Sequence, residues 1–376
     1  MSCEEEIAAI RDSLASIGDP WQVGETCLSR LGAESRSVRL GVPAPSAAEV
    51  EARVDLAGQM AEAALGTAGQ RCTAVHAPTG TLPHKFDLRY TRDGDYTTPV
   101  KDQGECGSCT AFGVIAVLEG TAAYTRRKAG LDLDLSEAQL FFGHAAEHHL
   151  TSTSGSWPDD LLADCVSDGV TVESYWPYQD NGGGTLNPDW KSQVVHAEKL
   201  VDLTRDPAAI KHHIYGYGPV TACMVVYDDF FHYTGGVYRR TTDDMRGGHC
   251  IALIGWDDDN GCWIGKNSWG TDWGEAGYFR IAYGEAYLED YPESRPTTVG
   301  CTGATLRAWL PAQRALGLYA SAHEGWANLE NLGWTRLSRG ASGANQFELL
   351  AGARADGYPV TAYLEHDEIR MVHTTF

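Results

Sequence analysis

Positive charge is scarce in this chain of 376 residues: 29 Lys and Arg stand against 51 Asp and Glu, a formal net charge of −22. Holding a phosphate backbone takes a basic face that displaces counterions, so a nucleic-acid role is excluded. The surplus of negative charge favours solubility and weakly steers uncharged or basic substrates. No apolar run reaches about 18 residues, so no membrane-spanning helix and no membrane partner is expected. The first residues, Met1-Ser2-Cys3-Glu4-Glu5-Glu6, lack the basic flank and apolar stretch of a signal peptide. On that reading the chain is cytoplasmic or exported by another route. The 10 Cys have neither the spacing of a disulfide framework nor that of a zinc site. Cys3, Cys27, Cys72, Cys165, Cys262 and Cys301 are expected to be packing residues.

Core-building material is plentiful: 43% of residues are hydrophobic, with 11 Trp and 17 Tyr. The length allows a full enzyme domain with smaller units attached. In residues 1–80, Ile7, Ile10, Leu14 and Ile17 form one apolar stripe of a helix over 2–17. Pro43 and Pro45 break the chain. Ser46 and Glu49 then form a capping box that opens a second helix through Val50, Val54, Ala57, Met60 and Leu65, ended by Gly66 or Gly69. Two small helices bury little by themselves, so they dock on a neighbour, as an inert appendage or as an inhibitory propeptide.

Residues 81–300 begin with helices: one from Cys109 to about Lys128, and helix-like stretches at 136–148 and 158–167. Strand-like runs follow at 219–226, 235–239, 249–256, 262–266 and 277–282. Helices first and strands after predict an α+β fold with segregated halves. Residues 301–376 read as a separate small α+β module. It has a strand at 315–321, a helix from Asn345 to Gly357, and a hairpin of 359–364 with 368–373 around a His-Asp turn. Its Trp326 and Trp334 are read first as core aromatics, and otherwise as a platform for an unidentified ligand: glycan, peptide or protein.

Three motifs carry chemistry. In Gln103-Gly104-Glu105-Cys106-Gly107-Ser108-Cys109-Thr110-Ala111-Phe112, Cys109 opens a helix that Ser108 can cap. The free amides and positive dipole end of a helix N-terminus favour a thiolate, and no acidic residue opposes it in the first turn. Gln103 and the Cys109 amide can donate to an oxyanion. In Gly247-Gly248-His249-Cys250-Ile251-Ala252-Leu253-Ile254-Gly255-Trp256, a strand begins at His249, the candidate base. Its separation from Cys109 falls within the range of about 130–150 residues for such sites. In Lys266-Asn267-Ser268-Trp269-Gly270-Thr271-Asp272-Trp273-Gly274, the Asn267 amide can orient the imidazole. Trp269 can keep water from that bond.

These motifs, with Phe86-Asp87-Leu88-Arg89, resemble the papain and cathepsin family over residues 82–298. The resemblance implies a two-lobed fold with a helical half and a β-barrel-like half. It also implies a thiol peptidase that acts on extended peptides through a Cys109 acyl-enzyme, with no metal or organic cofactor. It points to Gly155, Ser156, Trp157, Pro158, Cys223, Gly248, Cys250, Trp269 and Trp273 as substrate-facing residues. Trp157 and Pro158 would form one wall of the S2 subsite, and Cys223 and Cys250 the other. Departures from the family pattern stand out. Thr110 replaces a usual Trp, which would alter the leaving-group side. The Ser154-Gly155-Ser156-Trp157-Pro158 segment lacks the Cys that often pairs with the equivalent of Cys106, so Cys106 is expected to be free. A Cys223–Cys250 disulfide is the less favoured alternative to two thiols. The Trp21-Gln22-Val23-Gly24-Glu25-Thr26 and Arg39-Leu40-Gly41-Val42-Pro43 segments look like short leaders of some bacterial papain-like enzymes. Residues 1–80 are therefore expected to be an inhibitory propeptide in the cleft, cut between Gly69 and Pro83. The C-terminal module is similar to accessory domains of bacterial enzymes.

Other readings remain. A peptide ligase or transpeptidase using the same Cys-His site, or a non-catalytic peptide binder, would keep the fold. His144-Ala145-Ala146-Glu147-His148 fits an H-x-x-E-H zinc pattern without a third ligand, and is read as a polar helix end. His212 and His213 are read as surface residues.

Overall fold

The computed structural model describes residues 2–72, 80–144, 151–310, 312–321, 323–365 and 368–374. Helix formation begins at Ser2, whose hydroxyl and the Glu5 carboxylate satisfy each other's free amides. The resulting α1 (Cys3–Ser16) buries Leu14 of its stripe and leaves Ile17 exposed. A short β1 (Trp21–Val23) and α2 (Ala33–Ser37) follow. The capping box of Ser46 and Glu49 forms, but the helix expected from it is two pieces, α3 (Ala47–Glu51) and α4 (Val54–Leu65). The break falls at Arg53, with φ −107° and ψ −4°, whose guanidinium pairs with the buried Asp290. Gly66 closes α4.

Next come β2 (Lys85–Asp87) and α5 (Cys109–Thr125), which is mainly apolar and buried along nearly its whole length, Glu119 included. Beyond a single wide turn at Gln139–Gly143, α6 (Pro158–Ser167) starts on a proline suited to the first helical position. Three short strands, β3 (Val170–Thr171), β4 (Val194–Ala197) and β5 (Leu200–Asp202), precede α7 (Pro207–Tyr217). His213 lies on α7 and is buried, hydrogen-bonded to the Cys301 carbonyl at 3.2 Å. It is therefore a core residue rather than the surface one expected. The strand half comprises β6 (Val220–Tyr227), β7 (Tyr233–Tyr238), β8 (Met245–Asp257), β9 (Cys262–Lys266) and β10 (Tyr278–Ala282).

The 13-residue β8 is the hub of this half. One end pairs with β6, the other with β9 and β2, and the sheet continues through β10 and β7 to β1. The N-terminal region thus supplies an edge strand, fixed by the Trp21 indole donating to the Arg239 carbonyl at 2.8 Å. The helical α5 packs on β8 at Gly113, where a Cβ would sit 3.1 Å from the Cys250 sulfur.

The last segment runs through β11 (Val299–Cys301), β12 (Ala304–Trp309), β13 (Ala315–Ala320), β14 (Gly325–Leu329), β15 (Gly333–Leu337), α8 (Ala341–Asp356), β16 (Val360–Glu365) and β17 (Glu368–Thr374). Its strands are not isolated from the preceding region. β11 pairs with β5, and the others form one sheet, β13-β14-β15-β17-β16-β12-β4-β3, which crosses the boundary expected near residue 300. Helix α8 begins four residues before the expected start and covers one face. Trp326 and Trp334, read as core aromatics, lie on the other face. The register sets them beside Arg336 and Asn328, and Trp334 is 49% exposed with its indole over Gly317. The expected His-Asp turn lies outside the described residues.

Candidate active site

The site forms where α5 begins against β8. No acidic residue occupies the first turn of α5, as anticipated. Ser108 does not cap the helix; its hydroxyl bonds the Tyr178 hydroxyl at 2.7 Å instead. The Cys109 sulfur is buried and accepts hydrogen bonds from two backbone amides, Cys250 at 3.4 Å and Gly41 at 3.3 Å.

His249 is fully buried on β8, one residue before that Cys250 amide. Its Nε2 meets Asn267 Oδ1 at 2.8 Å, and Trp269 stacks on the ring at 4.6 Å and 30°. The Ser268 amide also donates to Asn267 Oδ1, at 2.8 Å, which fixes that oxygen as acceptor. The imidazole must then carry its proton on Nε2. Its Nδ1 is buried without a hydrogen-bond partner and is left basic. Gln103 is held at both ends of its amide. Oε1 accepts from Ser268 Oγ at 2.6 Å, while Nε2 donates to the carbonyls of Cys106 at 2.7 Å and Arg39 at 2.8 Å.

Residues 39–43 run through this cleft. Ser156 N–H donates to the Gly41 carbonyl at 2.8 Å, and Val42 N–H to the Gly248 carbonyl at 3.1 Å. The Arg39 guanidinium pairs with Asp102 at 2.8 Å. Gly41 has no room for a side chain: a Cβ would lie 1.8 Å from the Gly107 carbonyl oxygen. Gly155, at φ +66°, faces the same strand, where a Cβ would lie 2.4 Å from the Gly41 oxygen. Tyr291 was missed in the sequence, since it belongs to no motif. Its hydroxyl donates to the Pro43 carbonyl at 2.8 Å and its ring meets Trp157 edge-on at 6.3 Å.

Burial penalises both charges of a thiolate–imidazolium pair at this site. It pushes the Cys109 thiol up to about 12. It also lowers the His249 imidazole to about 4, against the opposing pull of the Asn267 hydrogen bond.

The remaining predicted residues divide. Gly155, Ser156, Gly248, Cys250 and Trp269 converge on the sulfur, imidazole or cleft strand through the contacts above. Trp157 and Pro158 head α6, with Trp157 between Tyr291 and the Arg295 guanidinium. Cys223 and Cys250 lie opposite each other on β6 and β8 as free thiols, and Cys106 is free as well. The Cys250 side chain packs on Gly113 of α5, so its contribution to the cleft is its amide. Trp273 is a correction. It is fully buried behind Trp269, 4.9 Å away, among Phe230, Tyr233 and Phe279, and does not reach the cleft. The Thr110 hydroxyl donates to the Ser156 carbonyl at 3.0 Å, toward the 151–156 loop. His144 bonds Gln139 at 3.2 Å, and the rest of its zinc-like motif lies outside the described residues. Among the described residues no cluster suited to a metal ion occurs.

A thiol that accepts from the backbone amide next to a histidine, whose imidazole is held through Nε2 by an amide oxygen, is equipped for acyl transfer from peptides, and the protein is a cysteine peptidase. Residues 82–293, more than half of the chain, match the papain family of cysteine proteases, and the chain belongs to that family. It is 34% identical to Cathepsin B-like CP3 of Giardia intestinalis over 221 residues, 54% of this chain and 72% of that protein. It is 32% identical to Pro-cathepsin H of Mus musculus over 229 residues, 57% of this chain and 66% of that one. In fold it is similar to the digestive procathepsin L 3 of Tenebrio molitor larval midgut. The TM-score is 0.59 at 22% identity, covering 80% of this chain and 88% of that one.

Proposed function

We propose that this peptidase is a zymogen whose first 80 or so residues form an inhibitory propeptide. Cys109 is the nucleophile, His249 the base, Asn267 the residue that orients it, and Gln103 with the Cys109 amide the oxyanion hole. The observation that carries this reading is the double occupation of the site by residues 39–41. The Arg39 carbonyl takes the Gln103 donor while the Gly41 amide sits on the sulfur. A substrate carbonyl cannot reach either group until that strand leaves.

After release, His249 Nδ1 takes the thiol proton as sulfur attacks the scissile carbon. The carbonyl electrons move to an oxygen held by Gln103. The tetrahedral intermediate then collapses, His249 returns the proton to the leaving amine, and water hydrolyses the Cys109 thioester by the same steps. A Thr in place of the usual Trp at position 110 would suit a ligase, but its hydroxyl is engaged with the Ser156 carbonyl, so no observation favours acyl transfer to an amine. The leader is of the short bacterial type. Residues 301–376 are an accessory module with a ligand of its own, on the face that carries Trp334.

Replacing the sulfur tests the assignment of the nucleophile. Cys109→Ala abolishes turnover of a fluorogenic peptide and leaves the far-UV circular dichroism unchanged. Retained turnover would remove the mechanism.

A further inference from the structure

Thr110 follows the nucleophile directly, is fully buried, and spends its hydroxyl on a different segment of chain. Its Oγ1 donates to the Ser156 carbonyl at 3.0 Å. Ser156 is the residue whose amide donates into the cleft, to the Gly41 carbonyl at 2.8 Å. The two polar groups of one residue are thus shared between the catalytic helix and the bound strand.

The loop that carries Ser156 has few other anchors. From 151 to 156 it belongs to no helix or strand, and much of its bonding is internal, among Thr151, Thr153 and Ser154. The start of α5 holds it by two bonds: Gly107 N–H to the Ser152 carbonyl at 2.7 Å, and the Thr110 hydroxyl to Ser156. No cysteine lies in residues 151–157, and Cys106 is a free thiol, so no disulfide fastens the loop to the helix. Gly155, in the left-handed region at φ +66°, precedes Ser156 and leaves the backbone there easy to rotate. A hydroxyl at position 110 removes that freedom. It also ties the height of the Ser156 amide to the helix turn that bears the sulfur.

We propose that Thr110 is a positioning residue for substrate binding, setting the Ser156 amide at the distance from Cys109 that an extended peptide requires. The inference rests on reading residues 39–43 as occupants of the substrate cleft. Without the hydroxyl, the Ser156 carbonyl is a buried acceptor with no donor and turns to find one, which moves its amide out of register.

The test compares wild type, Thr110→Val and Thr110→Ser, each processed from the full chain, on a dipeptidyl coumarylamide. Thr110→Val keeps the shape and loses the donor; Thr110→Ser keeps the donor. The expected result is a KM raised about tenfold in Thr110→Val, the scale of one buried hydrogen bond left unmade. In that variant kcat stays within about twofold, and Thr110→Ser returns KM to the wild-type value. The pH profile of Cys109 alkylation by iodoacetamide, which needs no contact with Ser156, moves only slightly, because the Thr110 hydroxyl is the smallest of the influences on the thiol.

An unchanged KM in Thr110→Val overturns the inference. So does a fall in kcat with a shifted alkylation profile, since the hydroxyl would then act on the sulfur itself. Equal impairment of Val and Ser variants would mean packing alone. If Thr110→Val does not fold, Thr110→Ala against Thr110→Ser gives the same comparison. Wild-type turnover that a synthetic peptide of residues 36–45 fails to inhibit removes the cleft reading and this inference with it. Inhibition with an unchanged KM in Thr110→Val removes the inference alone.

Discussion

Gly41→Ala is the substitution that most sharply separates a bound inhibitory strand from an idle one. The added Cβ would stand 1.8 Å from the Gly107 oxygen, 2.3 Å from its carbonyl carbon and 2.8 Å from its Cα. All three are backbone atoms at the start of the catalytic helix and cannot step aside as a side chain would. The strand must lift. Lifting it breaks the Gly41 amide bond to Cys109, the Ser156 bond to the Gly41 carbonyl and the Val42 bond to Gly248. At about 1 kcal/mol net for each, the closed state loses about 3 kcal/mol, or roughly 150-fold in the ratio of closed to open chains. The assay is the initial rate of peptide hydrolysis by freshly purified, uncut protein, with the fraction of uncut chain followed on a gel. Gly41→Ala should raise that rate by on the order of 100-fold over wild type. Gly58→Ala is the control: it lies on an exposed part of α4 with nothing within 4 Å of the new Cβ, and should leave latency as it was. Equal rates for wild type and Gly41→Ala in uncut chains would refute the reasoning.

Two further outcomes follow from the site. Asn267→Ala removes the acceptor that holds His249 Nε2 and should lower kcat by on the order of 10- to 100-fold, with the fold retained; an unchanged kcat would mean that Trp269 alone orients the ring. In the uncut chain the thiol is raised to about 12 and the imidazole lowered to about 4, so both are neutral between those values. Alkylation of Cys109 by iodoacetamide should therefore be slow at pH 7 and climb with pH. Once the segment is removed, alkylation should already be fast near neutrality, as a thiolate–imidazolium pair requires.

The residues proposed for catalysis stood out in the sequence because the proposed chemistry demands particular residue types at particular backbone positions. A thiol at a helix start, a histidine within a buried strand (which begins at Met245, four residues before the expected start) and an amide after the next strand leave few alternatives. What those motifs could not say is which aromatic faces the site. Trp269 and Trp273 share one glycine-rich motif, yet the first lies on His249 and the second is a layer deeper. The same limit applied to Trp326 and Trp334. Alternate strand residues point to opposite faces, and only the pairing of Trp334 with Asn328 and of Trp326 with Arg336 reveals which face is covered. Helix α7 was overlooked although its start was written in the sequence. Asp206 caps it through the Ala209 amide and Pro207 opens it. The sheet that joins the last segment to the peptidase was beyond local reading, because β4 and β12 pair across a long separation and neither carries a signal of its partner. The cleft strand lies between these cases: Arg39-Leu40-Gly41-Val42-Pro43 stood out as leader-like, but the need for glycine at 41 appears only beside Gly107.

The central claim is that residues 39–43 keep substrate and reagents from Cys109 until the N-terminal segment is cut away. Intact-mass spectrometry of the full chain tests it most directly, with an epoxide thiol inhibitor added before and after incubation at pH 5 with reductant. The uncut chain should remain unlabelled, and the species that has lost its first 70 to 80 or so residues should carry one inhibitor, on Cys109. Equal labelling of Cys109 in cut and uncut chains would contradict the account.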